Sequence, residues 1–187
     1  MEAELFDRVR SRRVRYIPRN GDVLALRVKN SRYLFHIKVI TEYIKSTSLF
    51  VDGATLIYIY VPNIRGAFVM HTKTSFYGLA ALHFDGVLPC EFEFVGNEPV
   101  FEWEKAIDLG FSRIGEAVEI TEYERELYSN DHDIVRAPDK LYAVPFFDTE
   151  NRQLDHVPHL KMNGEGYATV YGVLYTAAEW LKKHDLI

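Results

Sequence analysis

The sequence predicts an α+β fold dominated by antiparallel sheet, either open or curled into a small, partly open barrel, with two or three short helices including a C-terminal one. Three observations carry that expectation. Aromatic residues reach 14%, with 12 Tyr and 12 Phe, a bias that suits half-buried pleated surfaces. The dipeptides Asp52-Gly53 and Asp85-Gly86 interrupt short apolar runs, and Asp-Gly tolerates the positive φ angles of tight hairpin turns. Thr121-Glu122-Tyr123-Glu124 and Thr176-Ala177-Ala178-Glu179 have the spacing of a capping box.

Taken in order, residues 2–15 set Leu5, Phe6 and Val9 at helical spacing among Arg8, Arg12 and Arg13, so residues 1–19 read as a basic N-terminal arm or helix of a single domain spanning 1–187. Residues 22–29 and 32–43 are apolar runs around Asn30-Ser31 and form a predicted hairpin. Two more predicted hairpins join 48–51 to 55–61 and 79–84 to 87–94 through the Asp-Gly turns. Residues 91–95 and 100–104 flank Gly96-Asn97-Glu98-Pro99. If Val95 faces Val100, alternation turns Phe92, Phe94, Phe101 and Trp103 to the core and Glu91, Glu93, Glu102 and Glu104 to solvent. A competing helix from Glu102 through Lys105, Ala106, Ile107 and Leu109 to Gly110 stays open. Residues 141–147 read as a strand that Pro145 demotes to an edge. Asn163-Gly164 leads into a strand over 166–175. The Thr176 box opens the C-terminal helix, with Trp180, Leu181 and His184 at helical intervals and Lys182-Lys183 near its end. Eight or so strands result.

At 187 residues, 48% apolar and 26% charged, the chain is long enough to bury a sizeable core. The single cysteine, Cys90, has no intramolecular disulfide partner. With no charged-apolar-small N-terminal pattern, the expected compartment is the cytoplasm. No uncharged apolar run approaches the roughly 18 residues that cross a bilayer, so no membrane partner is expected. The formal charge of −5 hides a polarised distribution: residues 1–38 carry +6, and residues 91–133 hold 13 carboxylates against Lys105, Arg113 and Arg125.

Motifs for chemistry are sparse. His156 and His159 lie three apart beside Asp155, but a zinc site needs a third or fourth ligand, so solvated loop histidines and no metal are expected. Asp131-His132-Asp133 reads as a polar loop. His71-Thr72 lacks the spacing and the second copy of a two-histidine phosphoesterase. No Gly-x-Ser-x-Gly elbow, phosphate-binding loop or dinucleotide fingerprint occurs, and Cys90 reads as a buried thiol. The expectation is a non-enzyme without cofactor. Arg8, Arg10, Arg12, Arg13, Arg15 and Arg19 have the chemistry to neutralise phosphates, with Tyr16 to stack on a base. A pI of about 5.8 argues against nucleic acid, and pairing of the arm with the chain's own acids is the simpler outcome.

The acidic region is the main functional lead, with Glu91, Glu93, Glu102, Glu104, Glu119 and Glu122 as candidate partner-binding residues. Part of it is ordinary: Glu122 and Glu124 suit the first turn of a helix. Yet like charges opposed across strands are mildly destabilising, and a cationic partner would compensate them. Arg19-Asn20-Gly21-Asp22-Val23-Leu24-Ala25-Leu26, the Tyr-containing strand from Tyr33 to Ile37 and the run Leu56-Ile57-Tyr58-Ile59-Tyr60 resemble the start of bacterial polymorphic-toxin immunity proteins, in particular immunity family twenty-six. The resemblance covers roughly residues 21–113. It implies a non-enzymatic inhibitor that binds and neutralises a cognate toxin domain, here a basic one, and supplies no catalytic residues. The alternative function is a nucleic-acid-binding or regulatory module using the arginine arm.

Overall fold

The computed structural model describes residues 5–30, 34–45, 52–60, 79–105 and 108–163. The described residues fall into two compact units, one holding those up to Glu42 and Ala54–Phe101, the other those within Tyr43–Gly53 and from Glu102 to Asn163. No closed barrel forms among the described residues, and the sheets are open. No described helix is long and apolar enough to cross a membrane.

In the first unit β1 (Val14–Arg15) pairs with β6 (Val87–Leu88). The other strands are β2 (Asp22–Arg27), β3 (Leu34–Thr41), β4 (Thr55–Tyr60), β5 (Leu79–Leu82) and β7 (Phe92–Asn97), all antiparallel in the order β5-β4-β3-β2-β7. The predicted hairpin of residues 22–29 and 32–43 is thus the β2–β3 pair, with Leu24 opposite Ile37 and Leu26 opposite Phe35. Period-two alternation sends Leu24, Leu26, Phe35, Ile37, Val39, Ile57 and Ile59 into one cluster with Phe6, Leu82, Leu88 and Phe92. Val23, Ala25, Lys38 and Tyr58 on the other face are buried as well. Burial of both faces explains why these strands read as continuous apolar runs rather than as clean alternation.

Asp85 and Gly86 both have positive φ, at 51° and 70°, as the turn chemistry requires. Phe84 accepts the Val87 N–H at 3.0 Å. The strands on either side nevertheless take other partners, β5 on β4 and β6 on β1. Residues 5–19 contain no α-helix: Phe6 bridges to Val28 and the chain runs extended into β1. Gly53 has a φ of 77°, but residues 48–51 lie outside the described residues. So do His71, the strand over 166–175 and the helix opened by Thr176.

The hairpin expected from residues 91–95 and 100–104 does not form. Residues 92–97 are β7, paired to β2 with a bulge between Phe94 and Gly96, and Glu102–Lys105 is a single helical turn, α1. Phe92 is fully buried and Glu93 and Glu102 are exposed, but Phe94 and Phe101 are about half exposed while Glu91 and Glu104 are buried. The reason is a longer-range competitor: β2 offers β7 a hydrogen-bonding edge, so Gly96 and Asn97 continue the strand instead of opening a turn.

The second unit continues with β8 (Leu109–Ser112), a 3-10 turn (Ile114–Glu116), β9 (Val118–Ile120), α2 (Arg125–Tyr128), β10 (His132–Ala137), β11 (Lys140–Phe147) and β12 (Leu160–Asn163). The sheet order is β10-β11-β8-β12 with β9 also on β11; β12 runs parallel to β8. Strand β11 is interior, not an edge, because Pro145 sits at a gap. Its carbonyl accepts the Arg113 N–H at 3.3 Å, and a strand residue's N–H and C=O point the same way. The missing N–H therefore falls between the stretch paired with β9, ending at Ala143, and the stretch paired with β8, starting at Phe146. His132 is a buried strand residue opposite Pro145, not part of a polar loop. The ring of Tyr128 meets it edge-on at 5.1 Å.

These burials yield a comparison. Phe92→Ala should cost about 3 to 5 kcal/mol in urea unfolding, whereas Phe94→Ala, at 49% exposure, should cost about 1 kcal/mol or less. Equal losses would place Phe94 in the core after all.

Candidate functional site

Of the six candidate carboxylates, Glu91 and Glu93 belong to the first unit and Glu102, Glu104, Glu119 and Glu122 to the second. Glu93 is exposed on β7. Glu91 is buried with Arg8 Nε 3.8 Å away, and Glu104 is buried on α1. Glu102 binds Lys105 at 2.8 Å and Glu119 binds Lys140 at 2.7 Å. Glu122 pairs with Arg136, and Arg125 lies 4.0 Å away. Glu119 lies on β9 and reaches Lys140 of β11, while Glu122, just after β9, reaches Arg136 of β10; both strands pair with β11. The hydrogen bond and charge of Glu119 raise the Lys140 ammonium above its ordinary range. Such exposed pairs contribute little stability, about 0 to 1 kcal/mol each, but they reduce the field that a partner would feel.

The segment between β9 and β10 is built by its own short-range bonds. Thr121 N–H and Oγ1 both donate to Glu124 Oε2 at 2.8 Å, but α2 begins at Arg125 with Glu124 as its N-cap, so the expected capping box does not open a helix at Thr121. These two bonds, the N–H first, hold the Glu124 carboxyl below its usual range. Tyr128 turns inward to pack on Ile120, Leu141 and Ala143. Tyr123 and Leu127 remain outside, at 99% and 75% exposure. Tyr123 lies in the turn before α2 and Leu127 on α2 itself. Glu122, Glu124 and Glu126 alternate with them, and Glu126 has no cationic partner among the described residues. In the sequence, charge and capping pattern do not single out Tyr123 and Leu127; the signal that does is a pair of apolar residues four apart among glutamates.

His156 joins the loop before β12 to the start of β8. Its Nε2 lies 2.8 Å from Asp108 Oδ1 and its Nδ1 lies 3.0 Å from Asp155 Oδ1. Asp108 Oδ2 accepts the His159 N–H at 2.8 Å, and the Asp108 carbonyl accepts the Leu160 N–H at 2.9 Å. The loop comes so close that a Cβ on Gly110 would meet Pro158 Cγ at 2.5 Å. Its hydrogen bonds to the Asp155 and Asp108 carboxylates raise the His156 imidazole above its ordinary value. Burial pulls the Asp108 carboxyl upward, but the bonds from His156 and His159 N–H outweigh it and the net shift is down. Asp155 is lowered chiefly by its bond to His156. Among the described residues no group of three His, Cys, Asp or Glu side chains is arranged to hold a metal ion.

Comparison with known protein families, with curated proteins and with solved structures finds no match.

Both nitrogens of His156 donate to carboxylates only in the imidazolium form. Because the folded value is raised, the stabilising contribution is complete below the unfolded value and disappears as pH rises through the folded one. The lowered carboxyls set the acid limit, where protonation removes the acceptors. An NMR titration should place the His156 midpoint above 6.5, and Asp155→Asn should lower it. A midpoint at or below the ordinary value would contradict the bridge.

Proposed function

We propose that this chain is a toxin-neutralising immunity protein of bacteria, which captures a basic toxin domain through the acidic segment around Tyr123 and Leu127. The observation that carries the reading is the near-complete exposure of those two residues between Glu122, Glu124 and Glu126. Exposed Tyr and Leu side chains gain free energy by entering a partner's pocket, and a few such anchors dominate most interfaces. The carboxylates around them steer a cationic surface and set its orientation. Glu119 and Glu122 form the rim. Glu91 and Glu104, being buried, contribute to folding and not to contact, and Glu93 and Glu102 are peripheral.

In this reading the chain catalyses no reaction of its own and needs no cofactor. It acts in the cytoplasm, where an incoming toxin domain would strike its producer. The resemblance over residues 21–113 supports the class of protein, while the proposed anchors lie beyond that stretch.

The test is co-expression with the toxin domain encoded beside the gene, followed by calorimetry on the purified pair. Tyr123→Ala with Leu127→Ala should weaken binding at least tenfold, about 1.4 kcal/mol or more, and reduce cell survival, with the melting temperature of the free protein unchanged. Glu126→Lys should slow association, an effect that shrinks as salt shortens the Debye length from about 10 Å at 0.1 M to about 3 Å at 1 M. Undiminished binding by the double variant, or the lack of any toxin gene beside this one, would count against the proposal.

A further inference from the structure

Between Asp7 and Asp22 the chain holds six arginines, no lysine and no carboxylate. The fold engages Arg8, Arg10 and Arg13: Arg8 approaches Glu91, and Arg10 donates to the carbonyls of Pro89 and Phe92. The side chains of Arg12, Arg15 and Arg19 are exposed and make no hydrogen bond or ion pair among the described residues. The second unit behaves differently, for each of its described cations is in an ion pair: Lys45, Lys105, Arg113, Arg125, Arg136, Lys140, Arg152 and Lys161. An acidic chain thus neutralises its cations in one unit and leaves a run of arginines open in the other.

The run is held in place rather than dangling. Val9 and Arg10 N–H groups donate to the Cys90 carbonyl at 2.9 and 3.3 Å, and Tyr16 N–H to that of Gly86 at 2.9 Å. Val14 and Arg15 pair with Leu88 and Val87. Residues 11–15 are exposed without a break. Cations fixed on an ordered backbone lose less entropy on binding than cations on a loose tail. An all-arginine run offers planar forks that match phosphate oxygens, which lysine does not.

We propose that the surface over residues 8–19 contacts the phosphodiester backbone of a nucleic acid, with Arg12, Arg15 and Arg19 binding phosphates. No base stacking accompanies it. Tyr16 is turned inward, its hydroxyl donating to Asp22 Oδ2 at 3.0 Å and its ring edge-on to Phe84 at 5.1 Å. The exposed apolar side chains on it, Val9, Val14 and Ile17, stand singly among the arginines and none is aromatic, so phosphate charge is the ligand that the run fits best. The net negative charge of the chain is no obstacle at physiological salt, where the Debye length of about 8 Å makes local charge decisive. This surface lies in the first unit and is independent of the segment around Tyr123, so the two proposals fail separately.

Three phosphate contacts predict a slope of about −2.7 in log K against log salt for duplex DNA, or about a fortyfold loss between 50 and 200 mM. The full-length chain is titrated into a fluorescein-labelled 20-base-pair duplex and followed by anisotropy. Arg12→Gln, Arg15→Gln and Arg19→Gln together should weaken binding at least tenfold at 50 mM salt without changing the melting temperature, since these side chains make no hydrogen bond or ion pair among the described residues. Lys105→Gln, Arg125→Gln and Arg152→Gln, which remove the same formal charge elsewhere, should change it less than twofold. The corresponding triple Lys variant should keep the salt slope with severalfold weaker binding. No binding at 50 mM, or equal losses in the two Gln triples, would overturn the proposal. Displacement of the duplex at equal charge by polyglutamate or by phosphatidylserine vesicles would also overturn it, in favour of an acidic protein or a lipid surface.

Discussion

A buried carboxylate organises the first unit. Asp22 is nearly inaccessible, and a charge there is tolerable only if its oxygens are fully hydrogen-bonded. They are: Oδ2 accepts Tyr16 hydroxyl and Arg19 N–H, and Oδ1 accepts Asn97 Nδ2, each at 3.0 Å. The three donors come from the arm, from the corner before β2 and from the end of β7. Burial first, then the charge and hydrogen bond of Asp22, push the Tyr16 phenol far above its ordinary range, so it stays a donor. The corner itself needs Gly21, whose φ is 86° and whose missing Cβ would collide with the Glu98 carbonyl. One side chain thereby fixes where the sheet begins, where β7 ends and how the arginines are presented.

The second unit depends on a different economy. Its sheet is centred on β11, and its surface charges are matched locally. Glu119 with Lys140, Asp133 with Lys161 and Asp148 with Arg152 each close at 2.7 to 2.8 Å. A count of carboxylates along the sequence therefore overstates the field outside. What distinguishes the segment before β10 is the combination of residual negative charge with apolar groups that the core does not take. Tyr128 is claimed by Ile120, Leu141 and Ala143, and Tyr123 and Leu127 are left exposed.

Local patterns were legible where local chemistry decides the outcome. The pairing of β2 with β3 and the positive φ values at Asp85 and Gly86 follow from turn residues and short apolar runs. The failures arose where distant partners decide. The glutamate and aromatic alternation of residues 91–104 is a fair hairpin pattern in isolation, but β2 lies some 70 residues earlier and captures residues 92–97. Pro145 suggests an edge until the gap between β9 and β8 is known. His132 looks solvated among Asp131 and Asp133, yet strand pairing carries it into the interior. The six candidate glutamates were chosen by charge, and burial separates Glu91 and Glu104 from the rest, a property that sequence spacing does not encode. The ordering of the arm was half legible: its basic character was plain, but its anchoring on Cys90, Gly86 and Asp22 was not.

Asp22 holds the arginine arm as a fixed display, and amide hydrogen exchange resolved by NMR reads that hold residue by residue. In the parent protein the amides of Val9, Arg10 and Tyr16 should exchange far more slowly than in an unstructured chain. In Asp22→Ala they should lose that protection, while the β10 and β11 amides keep theirs. Exchange of the three arm amides at unstructured-chain rates in the parent, or unchanged protection in the variant, would contradict the account.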